Sequence, residues 1–233
     1  MIRILYLYPD LMNLYGDYGN IAVLERHLND QGLKVDIDRA NPGDDIDFDR
    51  YDFIYMGSGT ERNQKIALND LYRYKNDLKI YIEEERPLLF TGNAMELLGK
   101  KINDQDGLGI IDFSVEEKEK RYTGDVIVRN DEIGEAVGFI NKSSIISGGE
   151  KMGLFRYVFT DSNLIDNSYE GYRYKNAFGT HIIGPILAKN PSFMELIVKL
   201  LIGDKGYRRV RYEYEEESYN VTLKALKERG NIS

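Results

Sequence analysis

Arg86-Pro87-Leu88-Leu89-Phe90-Thr91-Gly92-Asn93-Ala94-Met95-Glu96-Leu97-Leu98-Gly99-Lys100 is an apolar run that breaks at a tight turn and resumes as a short helical pattern. A strand–turn–helix elbow of this kind lifts one side chain above the sheet of an α/β enzyme, beside backbone N–H groups that can hold an oxyanion. The residue at the top of the turn is Gly92, which carries no side chain. The chain has no cysteine and only two histidines, so the usual nucleophile and base are scarce throughout.

Upstream of the elbow, strand and helix signals alternate. Ile2 to Tyr8 reads as a buried strand. Asn20 to Gln31 carries Ile21, Leu24 and Leu28 at helical spacing, with Gly32 as a stop. Val35 and Ile37 alternate with charged residues, as on an edge strand. Asn41-Pro42-Gly43-Asp44-Asp45 is a turn. Tyr51 to Met56 is a third strand running into Gly57-Ser58-Gly59, helical patterns fill Asn63 to Glu85, and Leu88 to Phe90 is the fourth strand. This βαβαβ order predicts an α/β fold: three layers, a doubly wound and mostly parallel sheet with helices on both faces.

Downstream, short strands are predicted at Ile110–Phe113, Gly124–Val128, Ala136–Ile140, Phe155–Phe159 and Ala177–Ile183, as antiparallel additions to the sheet. Pro191 to Leu201 is a closing helix with Phe193, Leu196, Ile197 and Leu200 as its stripe. Residues 1–206 are expected to form the main domain. Residues 207–233 are expected to be a charged C-terminal helix or tail, with Glu213 to Glu217 as a solvated acidic face. Ligands of such folds bind at the carboxyl ends of the parallel strands. Four loops qualify: Pro9 to Asn20, Gly57 to Gln64, Thr91 to Met95, and Gly179 to Pro185.

The net charge of -8 argues against nucleic acid and acidic membranes as partners. No apolar run approaches the roughly 18 residues of a membrane span. The opening residues are too few and too polar for a signal peptide. Without cysteine there are no disulfides and no thiolate metal site, and the expected location is cytoplasmic. Asp44, Asp45, Asp47 and Asp49 lack the spacing of a calcium loop, so no metal site and no cofactor are expected. His27 is read as structural or solvated.

The loops also carry motifs. Leu7-Tyr8-Pro9-Asp10-Leu11-Met12-Asn13-Leu14-Tyr15-Gly16-Asp17-Tyr18-Gly19-Asn20, Gly57-Ser58-Gly59-Thr60-Glu61-Arg62-Asn63-Gln64, Asp106 to Phe113, Thr123-Gly124-Asp125, and Lys175 to Thr180 with Gly184 to Leu187 follow one another in order. Together they resemble the class I glutamine amidotransferases, in the cobyric-acid-synthase-like (CobB/CobQ) branch that includes the amidotransferase subunits of lipid II isoglutaminyl synthase. The resemblance implies a domain that releases ammonia from glutamine by a cysteine thiolate, with a histidine as base and backbone N–H groups on the oxyanion. It also implies a Mur-ligase-like (MurT-like) partner that uses the ammonia to amidate the D-glutamate of a peptidoglycan precursor.

The chain departs from that pattern at both central positions. The family elbow Ile-Cys-Gly-Gly-Tyr-Gln-Leu-Leu-Gly becomes Thr91-Gly92-Asn93-Ala94-Met95-Glu96-Leu97-Leu98-Gly99, which puts the nucleophile on Gly92. The family's Gly-Thr-Tyr-Leu-His-Gly-Pro becomes Gly179-Thr180-His181-Ile182-Ile183-Gly184-Pro185, which puts the base on Ile183. The third, orienting acid matches Asp17, which either orients a partner or caps the helix that follows. Asn141-Lys142-Ser143-Ser144-Ile145 replaces a Gly-rich stretch.

Loss of an activated nucleophile costs on the order of a million-fold in rate. Thr91 and Ser58 offer hydroxyls, with no base read beside either. His181 stands two residues from the base position. On a strand that is the same face, about 7 Å along, so it either lines the old pocket or is a hydrogen-bonded strand histidine. Gly57 and Gly59 form either an anion nest or a tight turn. Arg62 and Gln64, with Asn93, either hold a glutamine or stabilise the loop and helix start. Three functions follow. The first is a non-catalytic subunit docked on the Mur-ligase-like protein. The second is a glutaminase with a relocated site. The third is a sensor that binds glutamine or another small amino acid in space vacated by the cysteine.

Overall fold

The structure is a computed structural model that describes residues 1–163 and 169–232. Strands β1 (Ile2–Leu7), β2 (Val35–Ala40), β3 (Phe53–Met56) and β4 (Leu88–Thr91) alternate with helices α1 (Tyr18–Asp30), α2 (Glu61–Leu71) and α3 (Lys75–Glu83). A 3-10 turn at Tyr72–Tyr74 divides the helical stretch that the sequence reads as continuous. The later strands are β5 (Lys101–Ile102), β6 (Gln105–Asp106), β7 (Phe113–Asn130), β8 (Gly134–Gly148), β9 (Gly153–Thr160), β10 (Tyr169–Tyr174), β11 (Ala177–Thr180) and β12 (Ile182–Ile183). Helices α4 (Ile186–Lys189), α5 (Pro191–Ile202) and α6 (Glu213–Gly230) complete the order. Ser233, the last residue of the predicted C-terminal segment, lies outside the described residues.

Strands β2, β1, β3, β4 and β11 are parallel neighbours in that order, as the fold class predicts. β3 and β4 are buried along their whole length, as strands covered on both faces must be. Their side chains alternate between two cores. Leu5, Leu7, Ile54, Met56, Leu88 and Phe90 pack with α2 and α3 through Leu68, Leu71 and Leu78. Ile4, Tyr6, Phe53, Tyr55 and Leu89 pack with α1 and α5 through Leu24, Leu28, Phe193 and Ile197. Register aligns Met56 with Phe90 and Thr91 with Thr180, so the loops that follow β3, β4 and β11 leave the sheet at one edge.

The sheet continues antiparallel through β10, β9, β7, β8 and β12. Here the sequence underestimates the strands. Gly124–Val128 and Ala136–Ile140 are only the inner parts of a long β7–β8 hairpin. Its charged stretch from Glu116 to Arg121 looks like a loop, yet it lies within β7: Glu116 and Glu117 pair with β8, and Lys118 to Arg121 bulge out before pairing resumes at Tyr122. Ile110 to Asp112 is a bend, not a strand. β10 was not predicted; its Gly171 has φ +71°, and a Cβ there would run into the Gly179 carbonyl. Predicted strand Ala177–Ile183 divides at His181 into β11 and β12.

After residue 207 the chain crosses to α6, whose Leu226, Leu223 and Tyr219 pack on Ile127 and Val137 of the hairpin. Arg229 bridges Asp125 and Asp161 at 2.7 and 2.9 Å, and Tyr219 donates to the Glu135 carbonyl. His27 is buried in α1, stacked on Tyr212 at 3.7 Å, with its Nε2 3.0 Å from Glu215. Glu215 is therefore a docking residue rather than part of the solvated acidic face that the sequence suggests. No helix among the described residues is long and apolar enough to cross a membrane.

Candidate functional site

The elbow forms where the sequence places it. β4 ends at Thr91, Gly92 takes φ +60°, and a 3-10 turn runs from Gly92 to Leu98. Left-handed backbone at that position favours glycine. A Cβ at residue 92 would overlap the Ser58 Cβ, and would stand 3.0 Å from Ser58 Oγ and 3.3 Å from Ile183 Cγ2. The topology thus brings the nucleophile position, the base position and the β3 loop to one point. The space expected from a lost cysteine is not there, because Ser58 occupies it. The remaining cavity is about 30 Å³, room for about one water. That removes the vacated pocket on which the amino-acid sensor reading depends.

Asp17 is fully buried, and it does not cap α1. The Tyr18 N–H at the helix start donates instead to Asn13 Oδ1 at 2.9 Å. Asp17 Oδ2 accepts from the Ser58 backbone N–H at 2.6 Å and from the Ser58 hydroxyl, while Oδ1 has no partner among the described residues. Burial pushes the Asp17 carboxyl up to about 6, against the two Ser58 hydrogen bonds. The structure therefore corrects the reading that no base lies beside Ser58. A carboxylate that titrates near 6 is nevertheless a poor match for a serine hydroxyl, which needs a strong adjacent base.

The glycine loop does not form an anion nest. Neither Gly57 nor Gly59 has a positive φ. A Cβ at Gly57 would meet the Met12 carbonyl at 2.6 Å, and one at Gly59 the Leu11 carbonyl at 2.9 Å, so close backbone approach explains both residues. The loop's donors are used internally. Ser58 N–H goes to Asp17, and Gly59 N–H goes to Asn93 Oδ1 at 2.9 Å. Asn93 Nδ2 returns a bond to the Gly59 carbonyl at 3.0 Å, clasping the two loops together. Gln64 Nε2 donates to the Asn93 carbonyl and to Glu96 Oε2, both at 2.7 Å, so it braces the elbow. Arg62 is exposed and is not among the residues lining the cavity.

His181 sits at the break between β11 and β12 and is not among the residues lining the cavity. Its Nε2 lies 3.0 Å from Glu96 Oε1, and its backbone N–H donates to Glu170 Oε1 at 2.7 Å. Thr180 and Ser144 hydroxyls complete the pair of buried acids, on Glu170 and Glu96 respectively. Burial alone would raise Glu96, but the hydrogen bond and charge of His181, with Ser144 and Gln64, leave it below the ordinary carboxylate range. Glu170 is raised by burial, only partly offset by His181, Thr180 and the charge of Lys142. Sequence reading passed over Glu96, Glu170 and Ser144. The one available signal was Glu96, which stands where the family elbow has glutamine.

The hairpin roofs this site. Arg121 from the irregular stretch of β7 reaches Glu61 at 2.6 Å and Asn141 at 3.0 Å, and Asn141 donates to the Tyr15 hydroxyl at 3.1 Å. Asn141, Ser143 and Ser144 come from the segment that replaces the family's Gly-rich stretch, so side chains fill what glycines would leave open. Elsewhere, Asp47 caps a short turn through Asp49 N and Asp44 accepts from Asn41 N. Among the described residues no group of histidines and acids is arranged to hold a metal.

Comparison with known proteins follows the same lines. Residues 3–191 match the model of the CobB/CobQ-like glutamine amidotransferase domain. The chain is 33% identical to the GatD subunit of a glutamine-hydrolysing lipid II isoglutaminyl synthase from Staphylococcus aureus, over 99% of this chain and 96% of that one. It is 30% identical to the Streptococcus pneumoniae GatD subunit, over 88% and 82%. Among solved structures, a glutamine amidotransferase from Thermotoga maritima aligns with TM-score 0.57 and 17% identity, covering 100% of this chain and 99% of that one. A chain of PurLQS from Thermotoga maritima aligns with TM-score 0.58 and 13% identity, covering 86% and 99%. At such identities these two show a shared fold alone. From the match over residues 3–191 and the GatD relatives, the chain belongs to the CobB/CobQ-like glutamine amidotransferase family.

Proposed function

We propose that this chain is the amidotransferase-like subunit of a lipid II isoglutaminyl synthase type of ligase, kept for assembly rather than for glutamine hydrolysis. It docks on a Mur-ligase-like partner in the cytoplasm, and that partner draws on free ammonia. The observation that carries this reading is Gly92, with Ser58 in the space of the missing side chain. Three further features support it. Ile183 puts a methyl group where a base is needed. The Ser58 and Gly59 N–H groups are held by Asp17 and Asn93, so neither is free to hold an oxyanion. The residual cavity of about 30 Å³ is far too small for glutamine.

The test is ammonia release from glutamine by the purified chain, alone and mixed with the Mur-ligase-like protein of the same organism. Background rates in both samples, with co-elution of the two proteins, are the expected result. The Ser58–Asp17 contact gives the relocated glutaminase its one specific observation. A rate well above background that either Ser58→Ala or His181→Ala abolishes establishes that alternative and overturns the proposal.

A further inference from the structure

Helix α6 docks on the hairpin by one side only. Tyr219, Leu223 and Leu226 face the body of the protein. Turning through 100° per residue, the opposite side is centred on Tyr214, Ser218, Val221 and Ala225, all exposed. Tyr214 is 87% exposed and Val221 64%, the two most open large hydrophobic side chains among the described residues. Their spacing of i, i+4, i+7 and i+11 is a straight seam for a second helix. A single surface hydrophobe needs no explanation, but a seam with flanking charges on a terminal helix does.

The charges name the occupant. Acids fill the first turns, at Glu213, Glu215, Glu216 and Glu217, while Lys224, Lys227 and Arg229 lie in the last turns. Glu217 and Lys224 flank the seam on the same side, one helical heptad apart. When two copies of α6 are laid antiparallel about a two-fold axis between Tyr219 and Asn220, Tyr214 of each copy meets Ala225 of the other. Ser218 then meets Val221, and Glu217 comes beside Lys224 of the second copy on both sides of the axis. A parallel arrangement would instead set Glu217 across from the uncharged Thr222 of the second copy, with no such ion pair. Among the described residues the only ion pair of Lys224 is a loose one with Glu228 at 3.9 Å, with both side chains mostly exposed, so it is available for exchange. Glu217 has no ion pair among the described residues.

We infer that the outer face of α6 is a self-association surface, through which two copies of this chain form an isologous, antiparallel helix pair. The pair lies on the far side of α6 from the body of the molecule, so it leaves the elbow and its surrounding loops free for another protein. The seam is narrow, and the dimer is accordingly a weak one that forms with increasing concentration.

The experiment is mass measurement by light scattering and sedimentation on the full chain across a concentration series. The expected result is a rise from 26.9 kDa toward twice that mass. Val221→Glu is expected to hold the chain as a monomer. Glu217→Lys and Lys224→Glu each turn two attractive pairs into repulsive ones and are expected to weaken the dimer about tenfold. The double variant Glu217→Lys/Lys224→Glu restores the pairing with reversed sign, so its dimer is expected to return. All these positions are exposed, so folding is checked simply by an unchanged Tm. A chain that stays monomeric at every concentration overturns the proposal. A dimer that ignores Val221→Glu and both charge reversals overturns it too, because it then uses another face.

Discussion

The parallel half of the sheet and the β7–β8 hairpin treat the same site in opposite ways. The parallel half builds it. β3, β4 and β11 end in register, Gly92 takes the backbone angle an elbow requires, and positions 92 and 183 come within contact distance. The hairpin closes it. Arg121, Asn141, Ser143 and Ser144 project over the elbow and satisfy Glu61, Tyr15 and Glu96. Site geometry is set by apolar alternation and close backbone packing, which the core enforces whether or not chemistry is present. Site chemistry is set by a few polar side chains, and those here are engaged with one another.

The strongest challenge to this contrast is to remove the acid that joins the two halves. Glu96→Ala leaves His181 buried beside an empty position and strands the Gln64 amide and Ser144 hydroxyl. Breaking a buried pair in this way costs about 3–5 kcal/mol, readable as a fall in the denaturant midpoint. A loss below 1 kcal/mol would show that the buried network holds nothing together.

Next comes Gly92→Cys, which tests whether the scaffold still accepts its nucleophile. The overlap with Ser58 and the positive φ together predict a loss of about 2–3 kcal/mol. Ser58→Gly in the same chain is expected to recover much of it. Calorimetry on the two variants checks this, and full stability of the single variant would mean that Ser58 does not fill the site.

A third test uses pH. The carboxyl of Asp17 is raised to about 6 in the fold from an unfolded value near 3.8. A folded state that holds its proton more tightly than the unfolded chain is stabilised at low pH, and the contribution is lost as pH rises through that interval. The size is on the order of 2–3 kcal/mol. Comparing Asp17→Asn with the parent between pH 4 and 7 isolates it, because Glu96 and Glu170 titrate in both proteins. Identical pH profiles would break the assignment.

The smallest effect is expected at the roof. Arg121 is half exposed, so its pair with Glu61 contributes about 1 kcal/mol or less. Arg121→Ala should shift Tm only slightly, which sharpens the contrast between a rigid floor and a replaceable cover.

The parallel half was legible because its signals are local. Leu5, Ile54, Leu88 and their neighbours form short apolar runs between turn residues, and Gly57, Gly59 and Gly92 mark tight backbone. The hairpin was not, because Glu116 to Arg121 carries charges that read as loop, and only the β8 pairing on either side of the bulge at Lys118 to Arg121 keeps it within the strand. Site positions 92, 183 and 17 were placed by motif, but their partners were not. Ser58 meets Asp17 across 41 residues and His181 meets Glu96 across 85, and no periodicity encodes such distances. The expected empty pocket failed for the same reason, since a missing side chain says nothing of what moves in.

Ser58 standing over Gly92 also has a historical meaning. A mutation that returned cysteine to position 92 would meet an occupied site, a methyl group at Ile183 in place of a base, and amide donors already committed. None of these repairs is useful before the others are made, and the first of them is harmful alone. On the function proposed above, such a descent would work as a ratchet: drift from hydrolysis proceeds one step at a time, but the way back requires several coordinated steps at once.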